Sequence, residues 1–206
     1  MIKLKICGIT NLEDAFLCSK KGADALGFIF SKKSPRYINK QEAGKIIAKL
    51  DPFVVKVGVF LDQEKDKVLD IALRLKLDVL QFHGKESPAY CNFFKKNFKI
   101  IKVFFPEDNP IEKKISLYNI DAYMFDIKYE QKIKGITELS DAFLKNISEI
   151  IRSGKRVIIS GGLNVNNIGK VKKIKPYAFD IASGVEQLVG KKDANLVDLF
   201  IKKVKE

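Results

Sequence analysis

Histidine is almost missing from this sequence: among 206 residues there is one, His83. That is too few for the His-rich ligand sets of metal-dependent sugar-phosphate epimerases, and no metal is expected. Cysteine is scarce too, and the spacing of Cys7, Cys18 and Cys91 matches neither a zinc site nor a disulfide framework. Free thiols in a reducing compartment are the reading. No apolar run approaches the roughly 18 to 20 residues of a membrane span. Nor does the amino terminus show an apolar signal-peptide core with a small-residue cleavage site. A cytoplasmic protein without membrane contact is therefore expected.

A long Ser/Gly/Pro-rich linker is also lacking. With 46% hydrophobic residues to build a core, residues 1–206 are expected to form one domain. Acidic residues are outnumbered, since 38 Lys plus Arg against 25 Asp plus Glu give a net charge of +13. The lysines are scattered in short groups such as Lys95-Lys96, Lys172-Lys173 and Lys202-Lys203, with no long basic tract and no RNP-type aromatic motif. This pattern fits a solvated surface better than a nucleic-acid site, and the excess helps draw in a small anionic substrate.

What the sequence does contain is alternation. Short β-branched or apolar runs fall near residues 2–7, 25–30, 54–60, 77–82, 99–103, 121–126, 156–160 and 178–182. Segments of helical period lie between them, near 11–21, 40–50, 64–75, 87–97, 110–118, 139–152, 164–174 and 193–204. Eight strand-helix units in this length suit an α/β fold of one kind, a single (β/α)8 TIM barrel, whose functional groups follow the C-terminal ends of the strands.

The strand ends carry chemistry. Strand one ends at Cys7-Gly8, where a lone cysteine is either a small buried hydrophobe or a reactive thiol. After strand two comes the polar loop Phe30 to Tyr37, whose Arg36 suits a planar carboxylate. Gln81 and His83 close strand four, and Asp126 stands at the otherwise apolar tip of strand six. Strands seven and eight end in Ser160-Gly161-Gly162 and Ala182-Ser183-Gly184, small-residue turns of the kind that cradle phosphate on backbone N–H groups. Side-chain alternation puts Lys3, Lys5 and Cys7 on the barrel interior and Leu4 and Ile6 against the helices. On strand eight it puts Asp180 on one face with Ala178 and Ala182. A buried ammonium needs a partner, so Lys5 is expected to pair with Asp180, and the cation to favour the Cys7 thiolate.

Taken together, these motifs resemble the phosphoribosylanthranilate isomerase family of tryptophan biosynthesis. The resemblance runs along the whole chain, through Lys5 to Asn11, Gly22 to Phe28, Ser34 to Ile38, Val57 to Phe60, Leu80 to Gly84, Phe125-Asp126, Ser160 to Asn164 and Ser183 to Glu186. It implies a cofactor-free Amadori rearrangement of N-(5-phosphoribosyl)anthranilate to 1-(2-carboxyphenylamino)-1-deoxyribulose 5-phosphate, carried out on a small anionic phosphosugar by a monomer or homodimer. Asp126 matches the family's general acid and Cys7 its general base. Arg36 matches the contact to the anthranilate carboxylate, with Gln81, His83 and Asp180 lining the pocket. Gly161, Gly162, Ser183 and Gly184 match the phosphate site. One stretch departs from the family. The loop after strand six, usually glycine-rich, here reads Lys128 to Thr137 with Gly135 as its one glycine.

Overall fold

The computed structural model describes residues 1–206, the side chain of Tyr129 excepted. Eight parallel strands close on themselves in sequence order: β1 (Lys3–Cys7), β2 (Ala25–Ile29), β3 (Val55–Phe60), β4 (Val79–Phe82), β5 (Lys99–Phe104), β6 (Ala122–Phe125), β7 (Val157–Ile159) and β8 (Ala178–Ile181). The expected barrel is the one observed. Its crossovers are α1 (Leu12–Lys21), α2 (Lys40–Ile47), α3 (Lys65–Arg74), α4 (Pro88–Lys95), α5 (Ile111–Ser116), α7 (Asp141–Arg152) and α8 (Ile168–Lys172), with α9 (Ala194–Lys205) packed after β8.

Helix starts follow local chemistry. Asn11, Asn39, Ser87, Ser140 and Asp193 each accept a backbone N–H of the first turn, which satisfies a donor that the helix leaves open. The seventh crossover, between β7 and β8, is shorter than expected. Asn164 Oδ1 accepts from the amides of Asn166 and Asn167, and Asn167 Oδ1 accepts from Asn164. These asparagines bond their own backbone as a turn, so α8 begins only at Ile168.

Strand parity divides the apolar residues in two. Leu4, Ile6, Leu26, Phe28, Phe60, Phe82, Phe104 and Phe179 fill the layer between barrel and helices. Ile101, Val103, Ala122, Met124, Ile158 and Ala178 fill the barrel interior. At the N-terminal end, the aspartates preceding β2, β4 and β6 each take an amide of the strand before. Asp24 accepts from Leu4, Asp78 from Lys56 and Asp121 from Ile100, at 2.8 to 2.9 Å. That end is stitched shut, and the C-terminal end holds the site.

Two elements were not expected from the sequence. A one-turn helix, α6 (Tyr129–Ile133), lies within the loop after β6. After the 3-10 turn Ser183–Val185 comes a small antiparallel hairpin of β9 (Glu186–Leu188) and β10 (Lys191–Lys192). The hairpin is anchored to the first β-α unit. Thr10 Oγ1 donates to Gly190 O at 2.6 Å, and Asp14 accepts the Lys192 amide at 2.8 Å.

Candidate active site

A cavity of about 1200 Å³ opens at the C-terminal end of the barrel, lined by Cys7, Arg36, Gln81, His83, Asp126, Gly161, Gly162, Asp180 and Ser183 among others. Nine of the ten residues singled out in the sequence therefore converge. The tenth, Gly184, is not in the lining. A Cβ there would lie 2.0 Å from Leu163 O, so its lack of a side chain lets the turns after β7 and β8 approach each other.

Lys5 and Asp180 stand in register on β1 and β8, and Lys5 Nζ donates to Asp180 Oδ1 at 2.8 Å with both side chains buried. The pair expected from parity is present. Burial works to lower the Lys5 pKa, but the Asp180 carboxylate and Cys7 outweigh it and hold the ammonium above its ordinary value. Gly27 on β2 makes the room, since a Cβ there would come within 2.7 Å of Cys7 Sγ and 2.9 Å of Lys5 Nζ.

The effect on Cys7 corrects the expectation. Lys5 does favour the thiolate, but burial pushes the thiol up and Asp180 adds to this, so the net shift is upward. Cys18 and Cys91 go up to about 12 through burial in the helix layer, away from the cavity. Cys7 alone of the three combines a cavity position with a neighbouring ammonium.

Asp126 is 5% exposed and is met by several donors. Its Oδ1 accepts from the Ile127 amide at 2.6 Å and from Lys132 Nζ at 3.0 Å, and its Oδ2 accepts from Ser160 Oγ at 3.0 Å. His83 Nε2 stands 3.8 Å from Oδ2, and Gln81 Nε2 lies 3.3 Å from His83 Nδ1. Burial, with Lys132, Lys102 and Lys5 adding to it against Asp126, lowers the His83 pKa to about 4, so the ring is neutral at pH 7. The buried Gln81 Oε1 has no partner among the described residues and lies in the wall of the cavity.

Arg36 differs from the expectation in one respect. Its Nε and Nη2 form a two-pronged contact to the carboxylate of Glu186, at 2.6 to 3.1 Å, leaving Nη1 for a ligand. The fork that would clamp a substrate carboxylate is already engaged. Burial works to raise the Glu186 carboxyl, but Arg36 and Lys192 outweigh it and hold it below the usual carboxylate range. Gly8 gives the arginine stem its path, because a Cβ there would fall 2.5 Å from Arg36 Cδ.

Behind this pair lies Lys192, whose side chain is fully buried. Its ammonium donates to Cys7 O at 2.7 Å, Ala182 O at 3.1 Å and Glu186 Oε1 at 2.9 Å. One cation thus joins the Cys7 strand end, the turn after β8 and the arginine clamp. Sequence reading passed over it, because nothing distinguishes Lys192 from the other lysines until the hairpin folds it inward. Glu186 ends the Ser183 to Glu186 motif, where the sequence by itself assigns it no role.

In the turn after β7, Gly161 and Gly162 adopt φ of 87° and 69°, the left-handed region that suits glycine. A Cβ on Gly162 would fall 1.4 Å from Thr137 O, so the loop after β6 packs directly on this turn. Among the described residues no three His, Cys, Asp or Glu side chains converge as a metal site needs. Among the described residues no helix is long and apolar enough to cross a membrane.

Comparison with known proteins agrees with this fold. The family model described as N-(5'phosphoribosyl)anthranilate (PRA) isomerase matches residues 4–203. The chain belongs to the phosphoribosylanthranilate isomerase family. The N-(5'-phosphoribosyl)anthranilate isomerase of Geobacter sp. (strain M21) is 40% identical, over 100% of this chain and 99% of the relative. The crystal structure of the isomerase from Thermotoga maritima superposes with a TM-score of 0.90 at 35% identity, covering 100% of this chain and 99% of that one. A further isomerase structure, solved in complex with reduced 1-(o-carboxyphenylamino)-1-deoxyribulose 5-phosphate, gives a TM-score of 0.84 at 34% identity, with 100% and 99% coverage.

Proposed function

We propose that this chain converts N-(5'-phosphoribosyl)anthranilate to 1-(2-carboxyphenylamino)-1-deoxyribulose 5-phosphate in tryptophan biosynthesis, with Asp126 as acid and Cys7 as base. The observation that carries the reading is the meeting of a thiol and a carboxylate from opposite sides of one barrel mouth, beside a glycine turn and an arginine. The named complex of a family member with the reduced product supports the substrate class.

The steps follow from the residues. Asp126 gives its proton to the furanose ring oxygen, the C1–O bond breaks, and the nitrogen lone pair closes a C1=N iminium. Cys7 must first give its own proton to solvent, against its burial and with the Lys5 ammonium favouring the ionised form. The thiolate then takes the C2 proton, and the C2–H pair forms C1=C2 while the iminium pair returns to nitrogen. The resulting enaminol becomes the ketone by losing its O2 proton and gaining one at C1. One proton leaves Asp126 and one arrives at Cys7, so the enzyme is restored by transfer between them or through solvent. Arg36 Nη1 meets the anthranilate carboxylate, and the turns at Gly161-Gly162 and Ser183 receive the phosphate. Gln81, neutral His83 and Asp180 line the sugar between them.

Free buried Cys7, Cys18 and Cys91 support a reducing, cytoplasmic setting. The test is turnover of phosphoribosylanthranilate generated in situ, followed as loss of anthranilate fluorescence. Folded protein that leaves the signal unchanged contradicts the proposal.

A further inference from the structure

The loop after β6 brings a cation to the acid. Lys132, on the one-turn helix α6, places Nζ 3.0 Å from Asp126 Oδ1. The same oxygen faces the phosphate side, because a Cβ on Gly161 would lie 2.9 Å from it. Lys132 and the Gly161-Gly162 turn are therefore neighbours across one carboxylate oxygen. The downstream end of the loop is seated there too, with Thr137 O against Gly162. Glu138 Oε1 accepts from Asn167 Nδ2 at 3.0 Å, which ties the loop to the turn after β7.

This contact conflicts with the work assigned to Asp126. A general acid acts in its neutral form, and a neutral carboxyl no longer holds an ammonium as an ion pair does. The charged and titratable groups around Asp126 are Lys132 from α6, His83 from the end of β4, and more distantly Asp180 and Lys5 from β8 and β1. Lys5 is committed to Asp180, and His83 is neutral. Lys132 is the cation that must change partner. Its side chain is 41% exposed and reaches the site from a loop, so it can turn without disturbing the barrel. The glycine turn offers backbone dipoles to a phosphate but no full positive charge. A phosphate carrying about −1.5 to −2 charge attracts an ammonium more strongly than a single carboxylate does.

We propose that Lys132 is a substrate-phosphate ligand of this enzyme, pairing with Asp126 in the structure and transferring to the phosphate at Gly161-Gly162 on binding, which releases Asp126 to carry its proton. The proposal rests on the function assigned above. It also gives the glycine-poor loop a positive role, since a side-chain cation stands where the sequence lacks flexible backbone.

The probes are reduced 1-(o-carboxyphenylamino)-1-deoxyribulose 5-phosphate and its dephosphorylated counterpart, titrated calorimetrically into wild-type protein, Lys132→Met and Lys132→Arg. Lys132→Met is expected to weaken the phosphorylated ligand by about 10- to 100-fold, the range of a charge-assisted contact. The dephosphorylated ligand should be unchanged, and Lys132→Arg should recover most of the loss. Equal affinity of Lys132→Met and wild type for the phosphorylated ligand overturns the proposal, as does an equal loss for both ligands. Wild-type protein that does not bind the reduced product overturns the function reading, and this inference with it.

Discussion

Lys5 and Asp180 are partners three times over: in strand register, in a 2.8 Å hydrogen bond, and in sharing the interior beside Cys7. Each charge is buried and each depends on the other. Lys5→Met strands the carboxylate, and breaking such a pair costs about 3 to 5 kcal/mol. Urea unfolding should show that loss. The double variant Lys5→Met/Asp180→Leu should regain most of the stability without activity, because the thiol has lost the cation that favours its ionised form. A Lys5→Met protein as stable as wild type would contradict the pairing argument.

Glu186 holds Arg36 by accepting from its Nε and Nη2, so its effect on catalysis should pass through binding. Glu186→Gln keeps the shape and removes the charge. KM should rise about tenfold, equivalent to about 1.4 kcal/mol, with kcat changed little. A substrate analogue without the aromatic carboxylate should show no difference between the two proteins. A fall in kcat at constant KM would place Glu186 in the chemistry instead.

The single histidine gives a clean titration. With its pKa lowered to about 4, the His83 ring should stay neutral in the fold well below pH 6, and its proton NMR signals should move with a midpoint near that value. A midpoint near 6.5 would contradict the burial argument. The sign for stability follows by linkage. Well above pH 6.5 the ring is neutral in folded and unfolded chains and contributes no pH dependence. As pH falls from 6.5 towards 4, the unfolded chain takes a proton that the folded ring refuses, and stability drops by at most about 1.4 kcal/mol per pH unit from this group. The ring keeps 28% of its side-chain surface exposed, so the observed slope should be smaller. His83→Asn should remove it.

The barrel was legible because strand alternation and helical period are local signals, repeated eight times. The Lys5–Asp180 pair was legible for a related reason: parity fixes which side chains face inward, and barrel closure makes β1 and β8 neighbours. Other features depend on contacts distant in sequence. The two-residue strand Lys191–Lys192 is held in part by Thr10 and Asp14, from nearly 180 residues away. Without that hairpin, Lys192 is one of 38 basic residues. The expected direction for Cys7 was overturned: Lys5 favours the thiolate, but burial, which sequence does not quantify, is larger and leaves the thiol above its ordinary value. The short α6 escaped notice because five residues carry too little periodicity to register.

The most direct measurement compares turnover of phosphoribosylanthranilate by wild-type protein, Cys7→Ser and Asp126→Asn, with binding of the reduced product measured in all three. Both substitutions are close in shape to the residues they replace, so binding should survive. The account predicts active wild type and a fall in kcat of at least about 100-fold in each variant, the usual scale of acid-base catalysis. Full turnover in either variant would contradict the roles given to the thiol and the carboxylate.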